Sequence, residues 1–296
     1  MAIDLPENAY DPLVSLALEE DLGDGDRTAR AVIEEEAEAV GTIVAREAGV
    51  LAGIRIARRV FEILDREVRV ATLLPDGTRV NPGDKALVLR GRARALLSGE
   101  RTALNFLGRL SGIATLTARY VDAARGTVAR ILDTRKTTPG LRALEKYAVA
   151  VGGGVNHRAG LYDAILLKSN HYALCGGDVE KAVSRARASA RDGVAVIAEA
   201  RNREEAVAAV RGGAEVVLFD NFDPGRLRAA VSAVRDAARA CGLAVALEAS
   251  GGITLENLRA FAETGVERIS VGALTRAARS LDLSMSCEPP PQEKGR

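Results

Sequence analysis

Arg135, Lys136, His157, Arg158 and Lys168 all fall between Ile131 and His171 of this 296-residue chain. Both histidines of the chain, His157 and His171, lie inside that stretch. Short apolar runs end in these cations. A cluster of this kind has little reason to form unless an anion sits against it. Desolvating like charges is costly, and an anion near a surface returns about 4 kcal/mol per close pair.

The elements that must position these groups are legible from Thr127 onward. Apolar runs at Val128–Asp133, Ala164–Lys168, Val194–Glu199, Glu215–Asp220, Ala244–Glu248 and Arg268–Val271 alternate with helix-length stretches. The helices are expected at Gly140–Val151, Asp178–Arg191, Arg203–Arg211, Pro224–Cys241, Thr254–Thr264 and Leu274–Ser280. Such repetition predicts parallel strands joined by right-handed crossovers. Runs apolar throughout fit a sheet covered on both faces. Six units predict an incomplete β/α barrel. Each run ends in a polar group or glycine: Thr134-Arg135-Lys136, Lys168, Glu199, Asp220-Asn221, Ser250-Gly251-Gly252 and Gly272. In β/α barrels the carboxyl ends of the strands share one mouth, so six such ends in register form a candidate site.

The chemistry follows from residue type. Ser250-Gly251-Gly252 and Gly272 expose backbone N–H groups at helix starts and suit phosphate. Glu199 and Asp220 suit Mg²⁺ held through water, the two hydroxyls of a ribose, or neutralisation of the lysines. Arg135, His157, Arg158 and Lys168 then call for a second anion, and arginine forks favour a carboxylate. Spacing alone therefore reaches an enzyme for a phosphorylated sugar and a carboxylated partner.

The remainder is quieter. A helix is expected at Pro12–Asp21, followed by Asp21-Leu-Gly-Asp-Gly-Asp-Arg-Thr28, read as a turn with capping Asp and Thr because it lacks the spacing of a calcium loop. Residues 38–94 read as a small α+β sandwich: strands at Ala39–Arg46, Val68–Leu74 and Lys85–Gly91, and a helix at Val50–Leu64. Two helices are expected within residues 95–125, one carrying Arg101 and Arg109 on the same face, within about 80° at 3.6 residues per turn. A net charge of +1, 3% aromatic residues and no tryptophan argue against nucleic acid. No apolar run reaches the roughly 18 residues of a membrane span. The N-terminus lacks the pattern of a secretory leader. Three scattered cysteines fit free thiols in a reducing compartment, so the cytoplasm is expected. The Pro-rich tail Glu288–Arg296 is expected to be disordered.

Residue identity goes further. Asp133-Thr-Arg-Lys-Thr-Thr-Pro-Gly140, Gly152-Gly-Gly-Val-Asn-His-Arg158, Leu167-Lys-Ser-Asn-His171, Leu218-Phe-Asp-Asn221 and Leu247-Glu-Ala-Ser-Gly-Gly-Ile253, with Glu100-Arg-Thr-Ala-Leu-Asn105, closely resemble the quinolinate phosphoribosyltransferases. The resemblance spans about residues 10–283. It implies an α/β protein with an N-terminal α/β sandwich (1–110), an incomplete β/α barrel (111–283) carrying most site residues, and a tail (284–296). It implies phosphoribosyl transfer from phosphoribosyl pyrophosphate to quinolinate with Mg²⁺, giving nicotinate mononucleotide, pyrophosphate and CO₂. It further implies a homodimer, or a hexamer of dimers, with Arg101 crossing the interface. Arg135, His157, Arg158 and Lys168 would take the quinolinate carboxylates. Lys136, Glu199, Asp220, Ser250, Gly251 and Gly272 would take the phosphoribosyl and pyrophosphate groups, beside Thr134 and Gly252. Lys136 or Lys168 would stabilise ring charge as CO₂ leaves.

Three positions depart from the family pattern: Ile197 for an acid, Ser169 for an Asp, and Arg276 for a His. The first removes a charge expected near the phosphoribosyl pocket. Two rival readings remain: a paralogous pyrophosphorylase-like enzyme with another acceptor, and a non-catalytic phosphosugar-binding protein of the same fold.

Overall fold

The computed structural model describes residues 5–291. Residues 292–296, the end of the expected tail, lie outside the described residues, as do the first four. In chain order, a 3-10 turn at Glu7–Ala9 leads to α1 (Asp11–Leu22), α2 (Arg27–Val32), β1 (Glu38–Ala45), β2 (Gly49–Val50) and α3 (Ile54–Leu64). Then come β3 (Arg69–Thr72), β4 (Arg79–Val80), β5 (Lys85–Arg92), α4 (Ala93–Ala123), β6 (Arg130–Leu132) and α5 (Arg142–Val151). The repeating part continues with β7 (Ala164–Leu167), α6 (Ser169–Leu174), α7 (Val179–Ser189), β8 (Ala195–Ala200), α8 (Arg203–Arg211), β9 (Val216–Asp220) and α9 (Pro224–Cys241). It closes with β10 (Ala246–Ser250), α10 (Leu258–Ala262), β11 (Arg268–Ser270), α11 (Ala273–Arg276) and β12 (Leu283–Glu288).

Contacts divide these elements into two compact units. Among the described residues, one comprises 5–118, Ala143–Gly153 and 277–291; the other comprises Arg119–Arg142 and Gly154–Arg276. The first is built on an antiparallel sheet in the order β12-β1-β5-β3. Along β1, every second residue is buried, as a half-covered strand requires. Asp26 caps α2 through the Ala29 amide, as expected of this turn, whereas Thr28, expected to cap as well, lies inside α2.

Three elements of this unit differ from expectation. The expected pair of helices in residues 95–125 is the single helix α4. Gly99 and Gly112, which look like breakers, are points of close approach. A Cβ at Gly99 would meet Phe61 and Leu64 of α3, and one at Gly112 would strike the carbonyl of Arg279. Residues 284–288, placed with the tail, belong to β12, where Met285 pairs with Ile43. Its alternating burial is faint, with only Leu283 buried, so the strand left little signal. Finally, α5 joins this unit. Its Glu145, fully buried, accepts from Arg109 at 2.7 Å, and its Tyr147 hydroxyl donates to Asp76 at 2.5 Å. Asp76 in turn accepts from the Gly53 and Ile54 amides at the start of α3.

The second unit is a parallel six-stranded sheet in the order β6-β11-β10-β9-β8-β7. The first strand in sequence lies beside the last, as in a ring. The ring is open between β6 and β7, where Val155 makes one parallel bridge to Leu132. This is the expected incomplete barrel. Its floor is apolar: Ala164, Ile197, Val216 and Leu218, with Leu166 and Ala246 against them. Ile197 is 3% exposed in this floor, so the missing acid leaves an apolar contact below the mouth. Among the described residues, no helix is long and apolar enough to cross a membrane.

Candidate active site

Side chains alternate faces along a strand, so counting by twos from the apolar floor locates the next inward layer. From Leu166 the count reaches Lys168, from Ile197 it reaches Glu199, and from Leu218 it reaches Asp220. Paired registers carry the same face onward, Asp220 to Ser250 and Ser250 to Ser270. Ser270 pairs with Leu132, so Gly272 and Thr134 lie one step further on that face. The expected strand-end residues therefore share one side of one sheet because of its register.

Their contacts agree. Lys168 Nζ donates to Glu199 Oε2 at 2.8 Å. Glu199 is 8% exposed, and its carbonyl accepts from the buried Tyr172 hydroxyl. Asp220 stands next to this pair. Burial pushes its carboxyl above the usual carboxylate range, and the Glu199 charge pushes the same way; Lys168, Asn221 and Lys136 pull it partly back. Two acids and two lysines thus sense one another at adjacent strand ends. A Cβ at Gly272 would lie 3.1 Å from Lys136 Cδ and 3.7 Å from Thr134 Oγ1, which places these three together. Thr275 holds the Lys136 carbonyl with a 2.8 Å hydrogen bond.

The glycine loop after β10 is bound to the end of β9. Asn221 takes φ 56° and donates its amide to the Ser250 carbonyl at 2.9 Å. Gly251 has φ 93°, and a Cβ there would collide with the Asn221 side chain. Only glycine combines that backbone with that approach.

Arg135 and Arg158 form a separate cationic pair. Arg135 Nε is buried without a hydrogen-bond partner. Burial holds the Arg158 guanidinium below its ordinary pKa, and the charge of Arg135 lowers it further, against a smaller pull from Asp163. Two partly desolvated arginines that repel each other, one with an unsatisfied N–H, suit an anion with two or more oxygens.

His157 is held by protein groups on its ring and on its backbone. Its Nε2 lies 3.2 Å from Glu248 Oε1, and its Nδ1 accepts the Arg158 amide at 2.7 Å. Its own amide donates to the fully buried Asp133 at 2.7 Å. The ring is thus turned into the barrel wall. Arg101 is exposed on α4 in the other unit, and Gly252 is exposed in its loop. Of the two histidines, His171 accepts the Lys168 amide on Nδ1 at 2.9 Å and so fixes the backbone that carries Lys168. The residues missed from sequence are Asp133, Glu248 and Ser270. Glu248 had a signal, an acid inside the otherwise apolar run Leu247–Ala249.

Among the described residues no group of three His, Cys, Asp or Glu could enclose a metal. The pair Glu199 and Asp220 instead suits an Mg²⁺ that brings phosphate oxygens with it, since that ion keeps few protein carboxylates.

Comparison with known proteins gives one answer. The family model described as quinolinate phosphoribosyl transferase, C-terminal domain, matches residues 113–286, and the corresponding N-terminal domain matches residues 26–111. A probable nicotinate-nucleotide pyrophosphorylase (carboxylating) of Bacillus subtilis is 45% identical over 266 residues, covering 90% of this chain and 89% of that one. The human nicotinate-nucleotide pyrophosphorylase (carboxylating) is 43% identical over 243 residues, covering 81% and 80%. The crystal structure of NadC from Streptococcus pyogenes superposes with a TM-score of 0.91 at 38% identity, covering 98% of this chain and all of the other.

Proposed function

The chain belongs to the quinolinate phosphoribosyltransferase family, and from that premise we propose how its barrel mouth holds and joins two anionic reactants. The enzyme transfers the phosphoribosyl group of phosphoribosyl pyrophosphate to the ring nitrogen of quinolinate. Pyrophosphate leaves, the carboxylate next to the nitrogen departs as CO₂, and nicotinate mononucleotide remains.

Quinolinate carries two carboxylates, and its cradle is Arg135, Arg158 and Lys168, with His157 beside them. The single observation that carries this assignment is the buried, unpartnered Nε of Arg135 next to the desolvated Arg158. The donor's phosphates meet the amides of Ser250-Gly251-Gly252 and Gly272, with Lys136 and Thr134 alongside. Asp220 and Glu199 face the ribose. Glu199 and Asp220 would hold Mg²⁺, which would supply neutralising charge for the pyrophosphate.

Bond breaking at the ribose leaves an oxocarbenium-like carbon. The two acids offset that positive charge, and fixed amides receive the departing anion without reorganising. The protein needs no covalent nucleophile, because aligning ring nitrogen, ribose carbon and leaving oxygen supplies much of the rate. After transfer the ring nitrogen is cationic, so electrons from the breaking carbon–carboxylate bond flow toward it. Lys136 or Lys168 then steadies the carbanionic ring carbon until it takes a proton. The Lys168 side chain is half exposed and Glu199 largely buried, so Lys168 is the partner that reaches solvent and substrate.

Arg101 completes the acceptor pocket of a second copy, making the working form a homodimer. The reaction takes place in the cytoplasm, in keeping with the exposed free thiols of Cys175 and Cys241. The test is acceptor choice. With phosphoribosyl pyrophosphate and Mg²⁺, quinolinate is expected to give nucleotide and CO₂ together, and nicotinate, which lacks the departing carboxylate, to give little or none. Equal turnover of both would point to a paralogue with another acceptor. Turnover of neither would point to a binding protein.

A further inference from the structure

One buried carboxylate has no part in the site as assigned. Glu248 stands in β10, fully buried, one inward step below Ser250. Its Oε2 accepts from Arg268 Nε at 2.7 Å. Its Oε1 accepts from the Ser270 hydroxyl and faces His157 Nε2 at 3.2 Å. Burying an acid this deeply is costly unless every oxygen is engaged, and here both are. The chain of contacts then leads outward. His157 Nδ1 accepts the backbone amide of Arg158, which requires that nitrogen to be bare and the proton to sit on Nε2, toward Glu248. The amide of His157 is tied to Asp133. Both ring nitrogens are therefore engaged by the protein at the point where Arg158 leaves the barrel wall.

We infer that Glu248 is a positioning residue for the acceptor pocket: it clamps His157 in one tautomer, and His157, acting as a strut rather than a substrate ligand, aims Arg158 at the quinolinate carboxylates beside Arg135. This rests on the assignment of that pocket to quinolinate. The physical reason is that a two-oxygen anion is read by the direction of the arginine fork. A guanidinium mispointed by about an ångström forfeits much of the bond. A carboxylate behind a histidine fixes the ring as it does for histidines that hold metals.

The experiment uses the full-length protein, Glu248→Gln, and ¹⁵N NMR of the histidine rings, which is simple because the chain has two histidines. His157→Gln identifies the His157 signals. In the wild type, His157 is expected to be neutral and protonated on Nε2, and to stay so when quinolinate is added. In Glu248→Gln that signature is lost. The KM for quinolinate rises about tenfold or more, while kcat and the KM for phosphoribosyl pyrophosphate stay within about twofold. The inference is overturned if quinolinate changes the protonation of the wild-type ring, which would make His157 a direct ligand. It is also overturned if a folded Glu248→Gln keeps the wild-type KM for quinolinate, or if both KM values and kcat worsen together, as general loosening would do. Should Glu248→Gln fail to fold, the wild-type spectra with and without quinolinate decide the matter. If the wild type does not turn over quinolinate at all, the pocket assignment fails. The His157 tautomer in the two proteins still reports whether Glu248 holds the ring.

Discussion

Single residues at the mouth are held at a cost, and Asp220 shows it best. Its carboxyl is raised by burial and by the adjacent Glu199, so ionising it costs more in the folded chain than in the unfolded one. Asp220→Asn removes that repulsion. At pH 7 the variant is expected to melt about 2 °C higher than the wild type while losing phosphoribosyl transfer by about a hundredfold. A lower melting temperature in a calorimetric scan would mean that the Asp220 charge supports the fold. Most of these residues were legible in the sequence because charge at a strand end is conspicuous. Glu248 left a trace as an acid inside an apolar run, but its partner Ser270 left none, since nothing in a linear order shows an acid on β10 facing a serine on β11. The contacts of His157 were not legible either, since its partners Glu248 and Asp133 lie far from it in sequence.

At the level of elements, glycines separate scaffold from site. Gly251 combines a left-handed backbone with close approach to Asn221, whereas Gly112 admits the carbonyl of Arg279 against α4. Gly251→Ala is expected to raise the KM for phosphoribosyl pyrophosphate about tenfold with a small change in stability, because the loop can shift at the surface. Gly112→Ala is expected to destabilise by about 1–3 kcal/mol and leave the KM values unchanged, because backbone inside a packed unit cannot yield. Denaturant melts and initial rates on the two variants separate these outcomes; the reverse pattern would exchange their roles. The β/α repeats were legible because a covered parallel strand is a short apolar run between helical periods. The long α4 was not, since its glycines look alike whether they break a helix or admit a neighbour. The placement of α5 depends on the Arg109–Glu145 and Tyr147–Asp76 contacts, partners far apart in sequence.

For the whole molecule, the account rests on one pocket built from several strand ends and, as proposed, completed by Arg101 of a second copy. Arg101→Ala and Lys168→Ala are each expected to be inactive alone. Mixed one to one and allowed to exchange subunits, they should recover roughly a quarter of wild-type activity, because half the dimers are mixed and each of those carries one intact site. No recovery, with exchange verified by mass, would place Arg101 outside any shared site. The most direct test of the central claim is calorimetric titration of quinolinate into the wild type, Arg135→Ala and the surface control Arg203→Ala. The account predicts that Arg135→Ala weakens binding about ten- to a hundredfold while Arg203→Ala leaves it intact. Unchanged quinolinate affinity in Arg135→Ala would contradict it.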